Sequence, residues 1–318
     1  MKSKSIFAHI LAIVTILIWG TTFISTKILL TQFSPEEILA YRFFISFLIL
    51  IIIYPKKIKV LSIKEEIVFC LLGGTGISLY YWTENVALKY TYASNVGLIV
   101  SSIPIFTALI LHFISNNEKL TINIFLGFII AIIGISIVSY NGKVLKLNPT
   151  GDLMAVISAI LFSIYSILIK KVNDKYSQLF IVRKTFFYGI ITMLPILLVA
   201  KVNFFKIPSL DIKIVLNFLF LSIFASVLCF LMWNKAISII GSVKTTNYIY
   251  FVPIITMVSS DIFLNEKISK LMLLGGALIF VGVYINQSKW ISNIIKPSLS
   301  RQESCINTDS YKIRIKNK

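Results

Sequence analysis

Four ionisable side chains sit within or at the margins of long apolar runs: Lys27 in ILIWGTTFISTKILL, Arg42 in ILAYRFFISF, Glu84 in YYWTENVAL and His112 in FTALILHFIS. A charge in such a setting is costly and is usually retained for a purpose. The Arg42 guanidinium could hold a carboxylate or phosphate, pair with an acid of the protein, or snorkel to an interface. Lys27 has the reach to snorkel. Glu84 could take up and release a proton, pair with Lys27 or Lys89, or stand in solvent; His112 could relay protons near neutral pH or simply be solvated. Asp261 sits near the end of its own apolar run. Around these charges lie amphipathic groups suited to an organic solute. Trp19 stands mid-run, where an interfacial belt does not explain it, with Thr21 and Thr22 beside it. Tyr41, Asn95, Asn247 and Tyr248 complete the pocket-wall candidates, and together with Trp19, Thr22 and Arg42 they form the expected binding set.

Other chemistry finds little support. HExxH and GxSxG are absent, as are two aspartates facing each other within apolar runs. Cys70, Cys229 and Cys305 are scattered without partners at ligand spacing, so neither a metal site nor a disulfide framework is expected. No Walker-type loop appears, so ATP-driven transport within this chain is not expected, nor is a cofactor.

The elements that must position these residues are membrane spans. The chain is 57% hydrophobic and 14% charged. Its apolar residues come in ten blocks of about 20, the length that crosses hydrocarbon. They run over roughly 6–30, 36–54, 66–88, 93–114, 121–140, 151–171, 178–200, 211–234, 243–264 and 270–289. The first could be misread as a signal peptide, but it ends without a small-x-small cleavage site and contains Lys27. Net charge is +18. With both termini in the cytoplasm, most Lys and Arg fall on cytoplasmic segments; Lys201, Lys206 and Lys213 form the one outward cluster. No basic-aromatic module points to nucleic acid. The basic segment 291–318 is expected to be a disordered cytoplasmic tail drawn to anionic lipid. Trp82 and Trp290 are expected in the interfacial belt.

The chain repeats itself. Pro104 and Pro253 are 149 residues apart (253 − 104), each inside an apolar run. At that offset Asn85 meets Asn234, Ala87 meets Ala236 and Thr107 meets Thr256; after a one-residue gap, Glu118 meets Glu266, Gly127 meets Gly275 and Gly134 meets Gly282. More weakly, IWGTTFISTK (18–27) faces LFSIYSILIK (161–170). The expected fold is therefore an all-α integral membrane protein of ten transmembrane helices. They form two five-helix repeats, 1–145 and 146–290. An odd number of spans inverts the second repeat, the geometry used for alternating access. Pro104 and Pro253 are then paired kinks lining the pathway or acting as hinges, or packing kinks inherited by both copies. Gly127, Gly134, Gly275 and Gly282 put smooth stripes on two helices, a packing seam within the chain or in a homodimer. GGTG (73–76) could form a bend, and Glu118 and Glu266 cap equivalent helix ends.

In order and spacing, WGTTF (19–23), SPEEILAYRF (34–43), ENVALKYTYASNVGLIVSSIPIFTAL (84–109), NNEKL (116–120) and NKAISIIGSVKTTNYIYFVPIITMVSSDIFLNEKIS (234–269) resemble the ten-helix, EamA-type branch of the drug/metabolite transporter superfamily. The resemblance covers about residues 6–288, though no single motif is specific. The second copy departs from the first at Phe162-Ser163 and at Thr185, the Arg42 equivalent. What the resemblance implies is a secondary carrier in the plasma (inner) membrane, without an ATP-hydrolysing subunit, that moves a small organic solute, often by efflux of amino acids, metabolites or drugs. Nutrient import and lipid-carrier flipping are the alternatives on the same fold; a membrane-embedded enzyme is the alternative of another class.

Overall fold

The computed structural model describes residues 2–56, 59–114, 122–139, 149–202 and 211–287. Glu118, Lys119, Lys206, Trp290, Cys305 and the 291–318 tail lie outside the described residues. Among the described residues the chain is helical, with no strand. The first half contains α1 (Lys2–Leu29), α2 (Pro35–Ile53), α3 (Ile63–Gly73), α4 (Leu79–Tyr90), α5 (Ala93–Val100), α6 (Ile103–Ile114) and α7 (Ile122–Ser139). The second contains α8 (Pro149–Leu168), α9 (Lys170–Asn173), α10 (Gln178–Val199), α11 (Ile212–Leu219), α12 (Cys229–Ile240), α13 (Ser242–Thr246), α14 (Val252–Leu264) and α15 (Lys270–Gln287). Among the described residues, six helical stretches are long and apolar enough to cross a membrane: Lys4–Leu29, Ala93–Ile114, Pro149–Asn173, Gln178–Val199, Ile212–Ile240 and Ser242–Leu264. The outer faces carry exposed Leu17, Ile52, Leu198 and Val199, as a protein solvated by lipid requires.

Local sequence explains several boundaries. Ser34 and Glu37 close a reciprocal capping box at the start of α2, with Pro35 in the first turn, where its missing N–H costs nothing. A π-helical turn, Gly74–Ser78, joins α3 to α4, where GGTG was expected to bend. Gly76 fits there because a Cβ would lie 2.2 Å from the Tyr165 ring. A longer π-helical segment, Phe220–Leu228, joins α11 to α12.

The two prolines differ from their expected setting. Neither kinks a continuous α-helix. The chain breaks at Ser101–Ser102, and Pro104 is the second residue of α6. A 3-10 segment, Asn247–Phe251, precedes α14, and Pro253 is the second residue there. A proline in a first turn removes no helical hydrogen bond. At the first break the serine hydroxyls donate to nearby carbonyls, Ser101 to Leu98 and Ser102 to Ile99, each at 2.6 Å. Thr256 instead donates to the Gly20 carbonyl of α1 at 2.8 Å.

Packing interleaves the halves. α4 lies on α8, α1 on α12 and α14, α2 on α10, and α7 on α15. At the α7–α15 crossing the glycine stripes face each other: a Cβ on Gly134 would lie 2.7 Å from the Gly275 carbonyl, and one on Gly282 would lie 2.5 Å from that of Gly127. A polar clamp joins the end of α2 and the start of α3 to α10. Glu66 pairs with Lys184 at 2.7 Å and accepts from the Tyr188 hydroxyl at 2.5 Å. Arg183 donates to the Tyr54 carbonyl at the end of α2.

Candidate binding cleft

The interface between the halves holds a narrow, partly open cleft, with about 350 Å³ of space between atoms that includes its open mouth. α1 contributes Trp19, Thr22 and Phe23; α4 contributes Tyr80, Tyr81 and Glu84. Val100 and Ile103 face it from the α5–α6 break, Phe162 from α8, and Ile249 and Val252 from the start of α14. Three pairs among these residues are repeat equivalents: Trp19 with Phe162, Val100 with Ile249, and Ile103 with Val252. Trp19 and Phe162 meet edge to face with ring centroids 5.5 Å apart.

Trp19 is held on several sides. Its indole N–H donates to the Ala225 carbonyl, inside the π-helical segment, at 2.9 Å, and its ring lies 4.9 Å from that of Trp233. A wide turn exposes carbonyls to side-chain donors, and the indole takes one of them. The Thr22 hydroxyl turns back to the Trp19 carbonyl at 2.7 Å.

Glu84 is 2% exposed, neither solvated nor paired with Lys27 or Lys89. The Tyr80 hydroxyl, one turn earlier on α4, lies against its carboxylate. Arg42 is 1% exposed and does not snorkel. Its guanidinium stacks 4.1 Å from the centre of the Tyr81 ring and donates through Nε to Ser226 Oγ at 2.8 Å. Nη1 and Nη2 have no hydrogen-bond partner. Arg42 does not line the cleft; it backs the Tyr81 ring that does.

The structure does not gather the other expected residues here. Tyr41 packs against Phe33 and Phe218 in a satellite cluster. Asn95 is buried on α5, its amide donating to Thr91 Oγ1 at 3.2 Å, and it does not line the cleft. Asn247 and Tyr248 adjoin the lining residue Ile249 without lining the cleft themselves. The Tyr248 hydroxyl meets His9 Nδ1 at 2.6 Å. His112 packs beside Phe113 near the end of α6, and Asp261 is exposed. Lys27 turns inward, donating to the Leu88 and Thr91 carbonyls at 2.6 Å each. Glu266 caps the start of α5 rather than its own helix, accepting from the Ala93 and Ser94 amides. Trp82 donates to Glu36 at 2.9 Å. Sequence reading passed over Phe162 and Val252; their equivalence to Trp19 and Ile103 was the available signal. His9 and Ser226 carried none.

Cys229 is buried and free, and no cluster of three or more metal-ligating side chains occurs among the described residues. The EamA-like transporter family profile matches this chain twice, over residues 6–140 and 149–287. The chain belongs to that family. It is 28% identical over 296 residues to an uncharacterized transporter of Archaeoglobus fulgidus, covering 91% of this chain and 99% of the relative. The uncharacterized transporter YyaM of Bacillus subtilis is 27% identical over 83% of this chain and 88% of its own. A protein of Streptantibioticus cattleyicolor named "probable terminal-alkyne amino-acid exporter" is 23% identical, over 89% and 93% of the two chains. A solved crystal structure matches with a TM-score of 0.61 at 18% identity, covering 88% of this chain and 96% of that one, a likeness of fold. The protein is thus a multi-pass membrane transporter of the EamA-like family.

Proposed function

We propose that this transporter is a secondary carrier that exports a small organic solute, such as an amino acid or drug-like compound, by alternating access through the cleft. The observation that carries the reading is that equivalent residues of the two repeats line the cleft in pairs. A site on the axis relating the repeats is exposed alternately to each face when the halves exchange conformations. The twofold family match and the π-helical turns at corresponding places, Gly74–Ser78 and Phe220–Leu228, support ten spans in two inverted five-helix repeats. Charge placement supports a plasma-membrane orientation with both termini in the cytoplasm. The exporter named among the relatives supports efflux of a small metabolite.

Glu84 is our candidate for proton coupling. Among the described residues it is the one carboxylic acid of the cleft wall. The groups facing it are Tyr80 and Tyr81 on its own helix and Arg42 on α2. A buried carboxylate is stabilised by either a proton or a cation, so its occupancy can follow a pH gradient.

Counterflow in proteoliposomes, with labelled amino acids, sugars and nucleobases and with or without a pH gradient, tests the reading. Saturable counterflow of one class is expected, with the gradient response lost in Glu84→Gln. Absence of counterflow for every solute, from folded protein, would overturn the small-solute assignment.

A further inference from the structure

We propose that the cleft selects an organic cation, an ammonium group carried on an apolar or aromatic body. The proposal rests on reading the cleft as the solute site and adds the charge class of the solute.

Charge is the first argument. Glu84 is the one charged side chain in the wall, and among the described residues no Lys or Arg nitrogen lies within 4.0 Å of its carboxylate. A carboxylate 2% exposed has lost most of its water; Arg42 attracts it only from behind the Tyr81 ring, which leaves room for a positive partner on the cleft side. An anionic solute would bring a second negative charge to the same small space.

Donor availability is the second. An anion needs free N–H or O–H groups. The indole N–H of Trp19 is committed to the Ala225 carbonyl, the Thr22 hydroxyl to the Trp19 carbonyl, and the Tyr80 hydroxyl lies against Glu84. Arg42 has free N–H groups but stands behind the Tyr81 ring, outside the wall.

The remaining wall suits a cation. Trp19, Tyr80 and Phe162 bring aromatic rings to the cleft, with Tyr80 and Phe162 centroids 4.9 Å apart. Ring faces carry negative quadrupole potential and attract ammonium groups, most strongly where water is excluded. Val100, Ile103, Ile249 and Val252 leave the rest of the wall for an apolar body.

Isothermal titration of the detergent-solubilised full chain with 2-phenylethylamine, 2-phenylethanol and phenylacetate tests this directly. The three share an aromatic ring and differ chiefly in charge. The amine is expected to bind at least tenfold tighter than the alcohol or the carboxylate. Glu84→Gln should erase that preference, and Glu84→Asp, which keeps the charge, should retain most of it. Thermal scans establish that each variant is folded. Tighter binding of phenylacetate, an amine preference that survives Glu84→Gln, or no binding of any probe by folded protein would overturn the proposal. Binding with the expected pattern but no flux in proteoliposomes would uphold the ligand class and remove the carrier reading; saturable flux of a carboxylate without amine binding would do the reverse.

Discussion

Lys27 and Glu266 hold opposite sides of the turn between α4 and α5. The Lys27 ammonium donates to the Leu88 and Thr91 carbonyls at 2.6 Å, and the Glu266 carboxylate accepts from the Ala93 and Ser94 amides at 3.0 and 3.2 Å. A cation thus meets the C-terminal end of one helix and an anion the N-terminal end of the next, each matching the local dipole. The two side chains come from different repeats, so the turn ties the halves together. A charge-assisted hydrogen bond contributes about 1.5–3 kcal/mol. Lys27→Met and Glu266→Gln should each lower the thermal transition of the detergent-solubilised protein by several degrees. Unchanged transitions would show the turn to be held by packing alone.

The α7–α15 crossing should be intolerant of a single methyl group. A Cβ on Gly134 or Gly282 would strike a backbone carbonyl, which cannot rotate away. The helices would have to separate, and such overpacking costs about 1–3 kcal/mol. Gly134→Ala and Gly282→Ala are expected to lower the thermal transition. Gly74→Ala is the control: a Cβ there meets nothing within 4 Å, so it should be neutral or slightly stabilising.

Trp19→Phe separates ring from N–H. The variant keeps an aromatic face in the cleft but removes the hydrogen bond to the Ala225 carbonyl in the π-helical segment. A lost hydrogen bond of this kind costs about 0.5–1.5 kcal/mol. The thermal transition should fall while binding of 2-phenylethylamine drops only a few-fold. A collapse of binding with unchanged stability would instead make the indole N–H a ligand contact.

Acid should loosen the contact between α3 and the turn from α9 to α10 through Glu65. Hydrogen bonds from Ser62 and Tyr176, with a further contribution from Lys175, hold its pKa at about 2, down from 4.5, against the opposing push of desolvation. Because the folded value is the lower one, the stabilisation is fully present above about 4.5 and is lost as pH falls toward about 2. The Glu65 carboxylate is half-buried and its Lys175 partner is exposed, so solvent screening keeps the effect small. Wild type and Glu65→Gln should differ in thermal transition at pH 6 and converge on acidification; a constant difference across that range would exclude Glu65 as the source.

Helical elements and the repeat were legible in the sequence, because a bilayer demands apolar blocks of fixed length and duplication leaves matching residues at a fixed offset. The offset even contained the cleft's paired lining, since Val100 and Ile249 are equivalents. Which face of each helix turns inward was not legible. Lipid is as apolar as a protein core, so the periodicity that marks a buried face in water is faint in a membrane. Arg42 and Glu84 could each have reached an interface; the packing of α2 against the Phe220–Leu228 segment and of α4 against α8 buried both. Tyr41, next to Arg42 in the chain, is turned by the helical rotation into a separate cluster. The sequence by itself determined the membrane setting and the doubling; only the tertiary structure, through the packing of α4 against α8, decided that the Glu84 carboxylate would be buried among aromatic rings in the wall.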